Sequence, residues 1–246
     1  MPWQSLFRSS PRFYFTSSLH SEKKNMDDLE LSKLYRIRFP EAYLERKNAI
    51  WKVLCENFIQ RFIDPSDTVV DIACGYGEFI NNIKSHERIA IDLNPDSKVH
   101  LEEDITFYHR DVLELSDFLD KKVDIIFSSN FLEHLADKPT LEKLLEQIYE
   151  SLKPGGKYIV MGPNLHYLPA KYWDFYDHHL GLSHLSLGEI LQIKGFKLTR
   201  SIARFLPFTT RSMLPTHPFF VRCYLYFPPL WRLMGKQFFI IAQKPL

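Results

Sequence analysis

From residue 65 onward, short runs of aliphatic and β-branched residues alternate with longer amphipathic stretches. The apolar runs predict strands over 68–73, 88–91, 105–109, 123–127 and 157–161; the amphipathic stretches predict helices over 77–84, 96–101, 116–119 and 138–152. Connections of this length carry the chain back across a sheet, so neighbouring strands must run parallel. The expected fold class is α/β, a doubly wound sheet with ligands outside the carboxyl ends of its strands. The alternation continues with a helix over 187–194, a strand over 197–203 and an apolar run over 237–243. Between the last two strands lies a basic, aromatic, proline-punctuated insertion, residues 204–236. Upstream, residues 27–63 read as helical, with Ala49, Ile50, Val53, Leu54 and Phe58 set among charges and a break at Pro40. The organisation expected is a poorly ordered leader (1–25), an N-terminal helical region (26–64), and one domain (65–246) that carries the 204–236 cap.

Composition narrows this picture by exclusion. With 45% hydrophobic and 25% charged residues, the chain has enough apolar mass for a core and is not disordered as a whole. The net charge of +1 gives no global positive field, so nucleic acid is not an expected partner. The charge is unevenly spread, because residues 190–246 hold nine Lys and Arg and no Asp or Glu. Three scattered cysteines, Cys55, Cys74 and Cys223, form no CxxC pair, which argues against a disulfide framework and places the protein by default in a reducing cytoplasm. No uninterrupted apolar run is long enough to span a bilayer.

The richest stretch is Val69-Val70-Asp71-Ile72-Ala73-Cys74-Gly75-Tyr76-Gly77, a buried strand that runs into a glycine turn. Glycines there permit unusual backbone angles and let a ligand approach the main chain. A second strand ends in Asp92, placed to accept hydrogen bonds from both hydroxyls of a ribose. Dinucleotides and S-adenosylmethionine are both bound by such an arrangement. The dinucleotide pattern wants a third glycine where this chain has Ile80, and Asp71 would sit badly beside a pyrophosphate but suits a cationic methionine end.

Taken in order, these segments resemble those of class I S-adenosylmethionine-dependent methyltransferases. Residues 71–77 resemble that family's first motif, Ile91-Asp92-Leu93 its second, and His109-Arg110-Asp111-Val112 its third. The run from Asp124 through Asn130 and Glu133 to His134 resembles the fourth, and the Pro154-Gly155-Gly156 turn leads into a fifth strand as the family's does. The resemblance implies a Rossmann-like, seven-stranded methyltransferase sheet whose last strand is antiparallel. It also implies S-adenosyl-L-methionine as cofactor, held by Asp71, Ala73, Cys74, Gly75, Gly77, Asp92, Leu93, Asp111, Val112 and Asn130. Ala73 and Cys74 depart mildly from the commoner residues at those places.

Methyl transfer to a hydroxyl needs alignment, exclusion of water and a proton acceptor. His178 and His179, in the aromatic stretch 172–179, and His134 after the fourth strand are the candidate bases, with Asp174 or Asp177 able to orient an imidazole. Glu133, Tyr172, Trp173, Tyr176 and His184 are the candidate acceptor-binding residues. Three His and two Asp fall within a short span but lack a recognised ligand spacing, so no metal is expected. The 204–236 insertion suits a peripheral contact with an anionic membrane, a phosphate-bearing acceptor, or a cap whose arginines are solvated. A looser resemblance to methyltransferases of surface-glycan and secondary-metabolite pathways makes O-methylation of a small molecule, sugar or glycolipid the expected reaction. Methylation of a quinone-type lipid, a non-catalytic binding subunit and a nicotinamide-dependent oxidoreductase are the rival readings.

Overall fold

The structure, a computed structural model, describes residues 41–208 and 217–246. The expected leader, the helical reading of 27–40, and part of the cap insertion lie outside the described residues. Seven strands form one sheet: β1 (Thr68–Ile72), β2 (Glu87–Asp92), β3 (Thr106–His109), β4 (Val123–Ser129), β5 (Leu152–Pro163), β6 (Lys197–Ile202) and β7 (Gln237–Gln243). Their order is β3-β2-β1-β4-β5-β7-β6. The first five pair in parallel, while β7 enters antiparallel between β5 and β6. The order reverses between β1 and β4, so a crevice opens there at the carboxyl edge of the sheet.

Both faces of the sheet are covered, and the strand sequences alternate accordingly. Val70, Ile72, Ile89, Ile91, Tyr158, Val160, Phe238 and Ile240 point to one core. Val69, Ala90, Ile159, Met161, Phe239 and Ile241 point to the other. Helices α2 (Leu115–Phe118), α3 (Lys138–Ser151) and α4 (His184–Ile193) close the first face. In α3 the buried residues Leu141, Leu144, Leu145 and Ile148 follow helical spacing, and the Asp137 side chain accepts the Thr140 N–H at 3.0 Å to cap its start. Helix α1 (Glu41–Asn57) and the cap helices α5 (Pro218–Tyr226) and α6 (Pro228–Met234) close the second face.

An aromatic joint fastens the cap. The Phe58 ring meets Phe205, Trp231 and Phe239 at centroid distances of 4.4, 5.6 and 5.1 Å. Trp231 donates its indole N–H to the Tyr224 carbonyl at 2.8 Å, and Arg204 donates to the carbonyls of Gly235 and Leu233. One of the expected solvated arginines is therefore a structural clamp.

The helix expected over 77–84 is absent; a short 3-10 turn, Ile80–Asn82, stands in its place. The side chains of two asparagines explain this, since Asn81 bonds the His100 carbonyl and the Glu102 N–H while Asn82 bonds the Glu78 carbonyl and Asn48. These bonds tie the loop outward to its neighbours, as asparagine does when it competes with helix. Likewise, the stretch expected to be helical over 96–101 is a 3-10 segment, Pro95–His100.

Candidate active site

The first half of the site forms where β1 and β2 end. Ala73, Gly75 and Gly77 have φ of 54°, 57° and 76°, so the chain turns through the left-handed region three times in five residues. Gly77 has no alternative there, because a Cβ would lie 2.5 Å from Leu101 Cδ2 and 2.9 Å from Asn81 Nδ2. Asp92 crosses to this turn: its Oδ2 accepts the Gly75 N–H at 2.7 Å and its Oδ1 the Asn94 N–H at 2.8 Å. A carboxylate has about four lone-pair positions, so capacity remains for ribose hydroxyls. Burial pushes the Asp92 carboxyl up to about 6, against the opposing pull of the Asn94, Gly75 and Leu93 N–H groups.

Asp71 is fully enclosed on β1, and burial, followed by the neighbouring charges of Glu78 and Asp92, raises its pKa well above the usual range. Asp71, Glu78 and Asp92 thus lie around the turn, with Glu78 ion-paired to Lys47 at 2.7 Å. Buried carboxyl groups there oppose a pyrophosphate and suit a ligand with a sulfonium and an ammonium, so the residues fit S-adenosyl-L-methionine. Cys74 is buried, and burial, followed by Asp71, Asp92 and Glu78, raises its thiol pKa, which makes it a space-filling side chain and not a nucleophile. Leu93 stays 45% exposed at the end of β2, an apolar surface for a base to lie on. Asp111 caps a 3-10 turn through one oxygen, accepting the Leu113 N–H at 2.9 Å, and Val112 beside it is buried. Asn130 takes φ of 50° at the end of β4, and its N–H donates to the Met161 carbonyl at 3.0 Å.

The second half follows β4 and β5. Glu133 is buried at 3% exposure, with its carboxylate near Gly162, where a Cβ would lie 3.6 Å from Oε2. The Glu133 carbonyl accepts the N–H groups of His179 and Leu180 at 2.9 and 3.0 Å, which draws the 175–182 loop onto the end of β4. His134 is held by Asp177: its Nδ1 lies 2.9 Å from the Asp177 carbonyl and 3.2 Å from Oδ2. Both partners are acceptors, so Nδ1 carries the proton and Nε2 presents the lone pair. Burial opposes a charged His134, but the Asp177 hydrogen bond and the Glu133 and Asp177 charges outweigh it and raise the pKa. His178 is also buried, edge-on to His134 at 5.1 Å and stacked on Phe175 at 4.9 Å. Asp177 therefore orients His134.

The remaining candidates fall outside this cluster. His179 contributes its backbone N–H, while its side chain is exposed. Tyr172 is fully buried; its hydroxyl donates to the Leu180 carbonyl at 2.7 Å and accepts the Leu182 N–H at 3.2 Å, so it shapes the loop. Trp173 is half exposed against Gly181, and Tyr176 is 97% exposed. His184 is bonded to Asn164 at 2.9 Å beside His166 and Tyr167, and burial followed by His166 lowers its pKa. Sequence reasoning passed over Glu78, which lies beside Asp71 and is ion-paired with Lys47 at 2.7 Å, and Asn164, which bonds the Ala203 carbonyl at 2.8 Å as well as His184.

Comparison with known proteins agrees with this geometry. A family described as a methyltransferase domain matches residues 43–201. The chain belongs to that family and is an S-adenosylmethionine-dependent methyltransferase of class I architecture. Phosphoethanolamine N-methyltransferase 2 of Caenorhabditis elegans is 31% identical over 115 residues, 42% of this chain and 25% of that protein. The match thus spans a quarter of the length of that relative. Among solved structures, a SAM-dependent methyltransferase from Archaeoglobus fulgidus superposes with a TM-score of 0.60 at 22% identity, covering 87% of this chain and 99% of the other. A putative methyltransferase in complex with the Trm112 methyltransferase activator of Haloferax volcanii gives 0.59 at 18% identity, covering 88% and 94%. At these identities, the two structures show the fold.

Proposed function

We propose that the protein transfers a methyl group from S-adenosyl-L-methionine to a hydroxyl of a small-molecule acceptor, a sugar or a glycolipid. The observation that carries this reading is the convergence of Glu133, the Asp177-oriented His134 and His178 just beyond β4. When bound, S-adenosyl-L-methionine supplies an electrophilic methyl on sulfur. The acidic turn around Asp71 and Asp92 orients it, and the polar cluster holds and activates the acceptor hydroxyl. The rings of Tyr172 and Phe175 pack on His178 at 5.1 and 4.9 Å and give the cluster an apolar side.

The cap favours an acceptor carried by a membrane. In α5 the residues Tyr224 and Leu225 face inward, whereas Phe219, Phe220, Arg222, Cys223 and Tyr226 form a continuous exposed arc, prolonged by Phe227. Arg232 is exposed on α6, and no acid lies in the whole 190–246 stretch. Exposed aromatics flanked by cations suit a bilayer interface with anionic headgroups. Among the described residues, no helix is long and apolar enough to cross a membrane, so the contact is a peripheral one.

A second reading, methylation of an amine, is favoured by the similarity to the worm phosphoethanolamine N-methyltransferase. Incubation with methyl-labelled S-adenosylmethionine and cell extract, followed by counting of lipid, polysaccharide, soluble and macromolecular fractions and mass analysis of the product, separates them. A methyl ether in the lipid or glycan fraction is expected. An N-methyl amine overturns the hydroxyl reading, and label confined to soluble metabolites overturns the membrane-borne one.

A further inference from the structure

Among the described residues, Glu133, His134 and His178 are the one group whose nitrogen and carboxylate ligand atoms all lie within 4.8 Å of one another. We propose that these three side chains bind a first-row divalent transition cation such as Zn2+, and that this cation, and not an imidazole base, activates the acceptor hydroxyl. The proposal deepens the O-methylation reading and rests on it for the role of the ion, though not for its binding.

Three observations carry it. The first is the donor set: two imidazoles and one carboxylate match what zinc and its first-row neighbours take in sites that keep positions open, whereas Mg2+ and Ca2+ take oxygen ligands. The second is the shell behind the ligands. His134 gives its Nδ1–H to Asp177, which fixes the ring and leaves Nε2 as the nitrogen free to ligate, the support that metal-bound histidines normally have. The third is charge. Glu133, at 3% exposure, and Asp177 bring two carboxylates to a pair of imidazoles; a divalent cation neutralises them with both rings neutral.

The protein also gives the cluster a fixed frame. The Glu133 carbonyl anchors His179 and Leu180, and the Tyr172 hydroxyl anchors Leu180 and Leu182, so His178 hangs from a loop pinned on both sides. Phe175 stacks on its ring at 4.9 Å. Closing from a 4.8 Å spread to bonding distances of about 2.0–2.2 Å from a shared ion needs side-chain shifts on the order of 1 Å. With three protein ligands in place, a four-coordinate ion would keep one position for an acceptor hydroxyl. A bound cation lowers the pKa of a coordinated O–H by several units. The hydroxyl proton passes to solvent water, the oxygen takes the methyl as the carbon–sulfur bond breaks, and S-adenosylhomocysteine leaves as a neutral thioether. No oxidant or reductant enters the balance.

The test uses tag-free, full-length protein stripped with chelator and titrated with Zn2+ by calorimetry and with Co2+ by visible absorption. One equivalent is expected at micromolar affinity or better, with the d–d bands of a Co2+ site holding nitrogen and oxygen ligands. Glu133→Gln and His178→Gln should each weaken binding by about 10-fold or more while S-adenosylhomocysteine still binds, which also shows that the variants fold. X-ray absorption of the zinc-loaded wild type, expected to show two imidazole nitrogens and carboxylate oxygen, decides the case if a variant does not fold. Binding no tighter than millimolar, unchanged affinity in both folded variants, or a ligand set without imidazole overturns the metal site. A methyl ether formed by metal-free protein overturns the cation's role and leaves the O-methylation reading intact. Zinc held by these ligands alongside an N-methyl product overturns the acceptor reading and leaves the site standing.

Discussion

The carboxylate of Asp92 reaches across from the end of β2 to accept the N–H of Gly75 at 2.7 Å, joining the two loops that frame the cofactor. That bond ties the left-handed turn to the end of β2 and leaves lone pairs free on the carboxylate. Asp92→Ala should therefore weaken S-adenosylhomocysteine binding by about 50-fold or more, given that each charge-assisted hydrogen bond is worth about 1.5–3 kcal/mol. Isothermal calorimetry at pH 7.5 checks this, and binding within about threefold of wild type would refute it.

The same residue gives the protein a pH dependence. Its pKa in the folded chain, about 6, lies above the ordinary carboxylate value near 3.9, so the folded state holds this proton more tightly than the unfolded state. Its contribution to stability is complete at low pH and is lost as pH rises from about 4 through 6, on the order of 2–3 kcal/mol. Cofactor binding runs the other way, because ribose hydroxyls donate to the ionised form. Wild-type affinity is expected to fall below about pH 6, and Asp92→Asn should flatten the difference in melting temperature between pH 4 and pH 7. Parallel slopes for the two proteins across that range would show that Asp92 does not titrate there.

Gly77→Ala should destabilise the protein by roughly 1–3 kcal/mol, the sum of a left-handed φ of 76° in a residue with a Cβ and the 2.5 Å approach to Leu101. Urea denaturation of the two proteins measures it. Unchanged stability would mean that Leu101 and the turn relax without cost.

Removing the Tyr172 hydroxyl leaves the Leu180 carbonyl and the Leu182 N–H without their buried partner. Tyr172→Phe should cost about 1–3 kcal/mol and lower turnover through the loop that carries His178, with cofactor affinity unchanged. Stability by urea and turnover under saturating cofactor separate the two effects; a loss of cofactor affinity would place Tyr172 in a different role.

The parallel half of the sheet was legible because residues such as Val69 to Ile72 and Arg88 to Ile91 are short apolar runs joined by crossovers, a pattern set by burial on both faces. The cofactor loop was legible because its chemistry is local: Asp71, Gly75 and Gly77 are neighbours in the chain, and Asp92 ends the next strand. The place of β7 between β5 and β6 left no trace in periodicity, and the family resemblance implied only that the last strand is antiparallel. The loop asparagines Asn81 and Asn82 defeated the helix expectation because their partners, His100 and Glu102 among them, are distant in sequence. His178 and Glu133 are likewise far apart in the chain, and their meeting depends on two hydrogen bonds to the Glu133 carbonyl that no spacing rule encodes. For the same reason Asp177 could be foreseen as an orienting acid, but its partner His134 could not be chosen.

The interior position of β7 also governs the timing of assembly. Strand β6 is made before β7 yet touches the sheet only through it, pairing from Lys197 to Gln243 through Ile202 to Phe239. During synthesis β6 has no strand partner, and the edge of β5 stays open to any passing strand, until Gln237–Gln243 emerges and closes the gap. The antiparallel edge of the sheet is thus the last part to be built, and an unfinished chain carries an open sheet edge prone to aggregation.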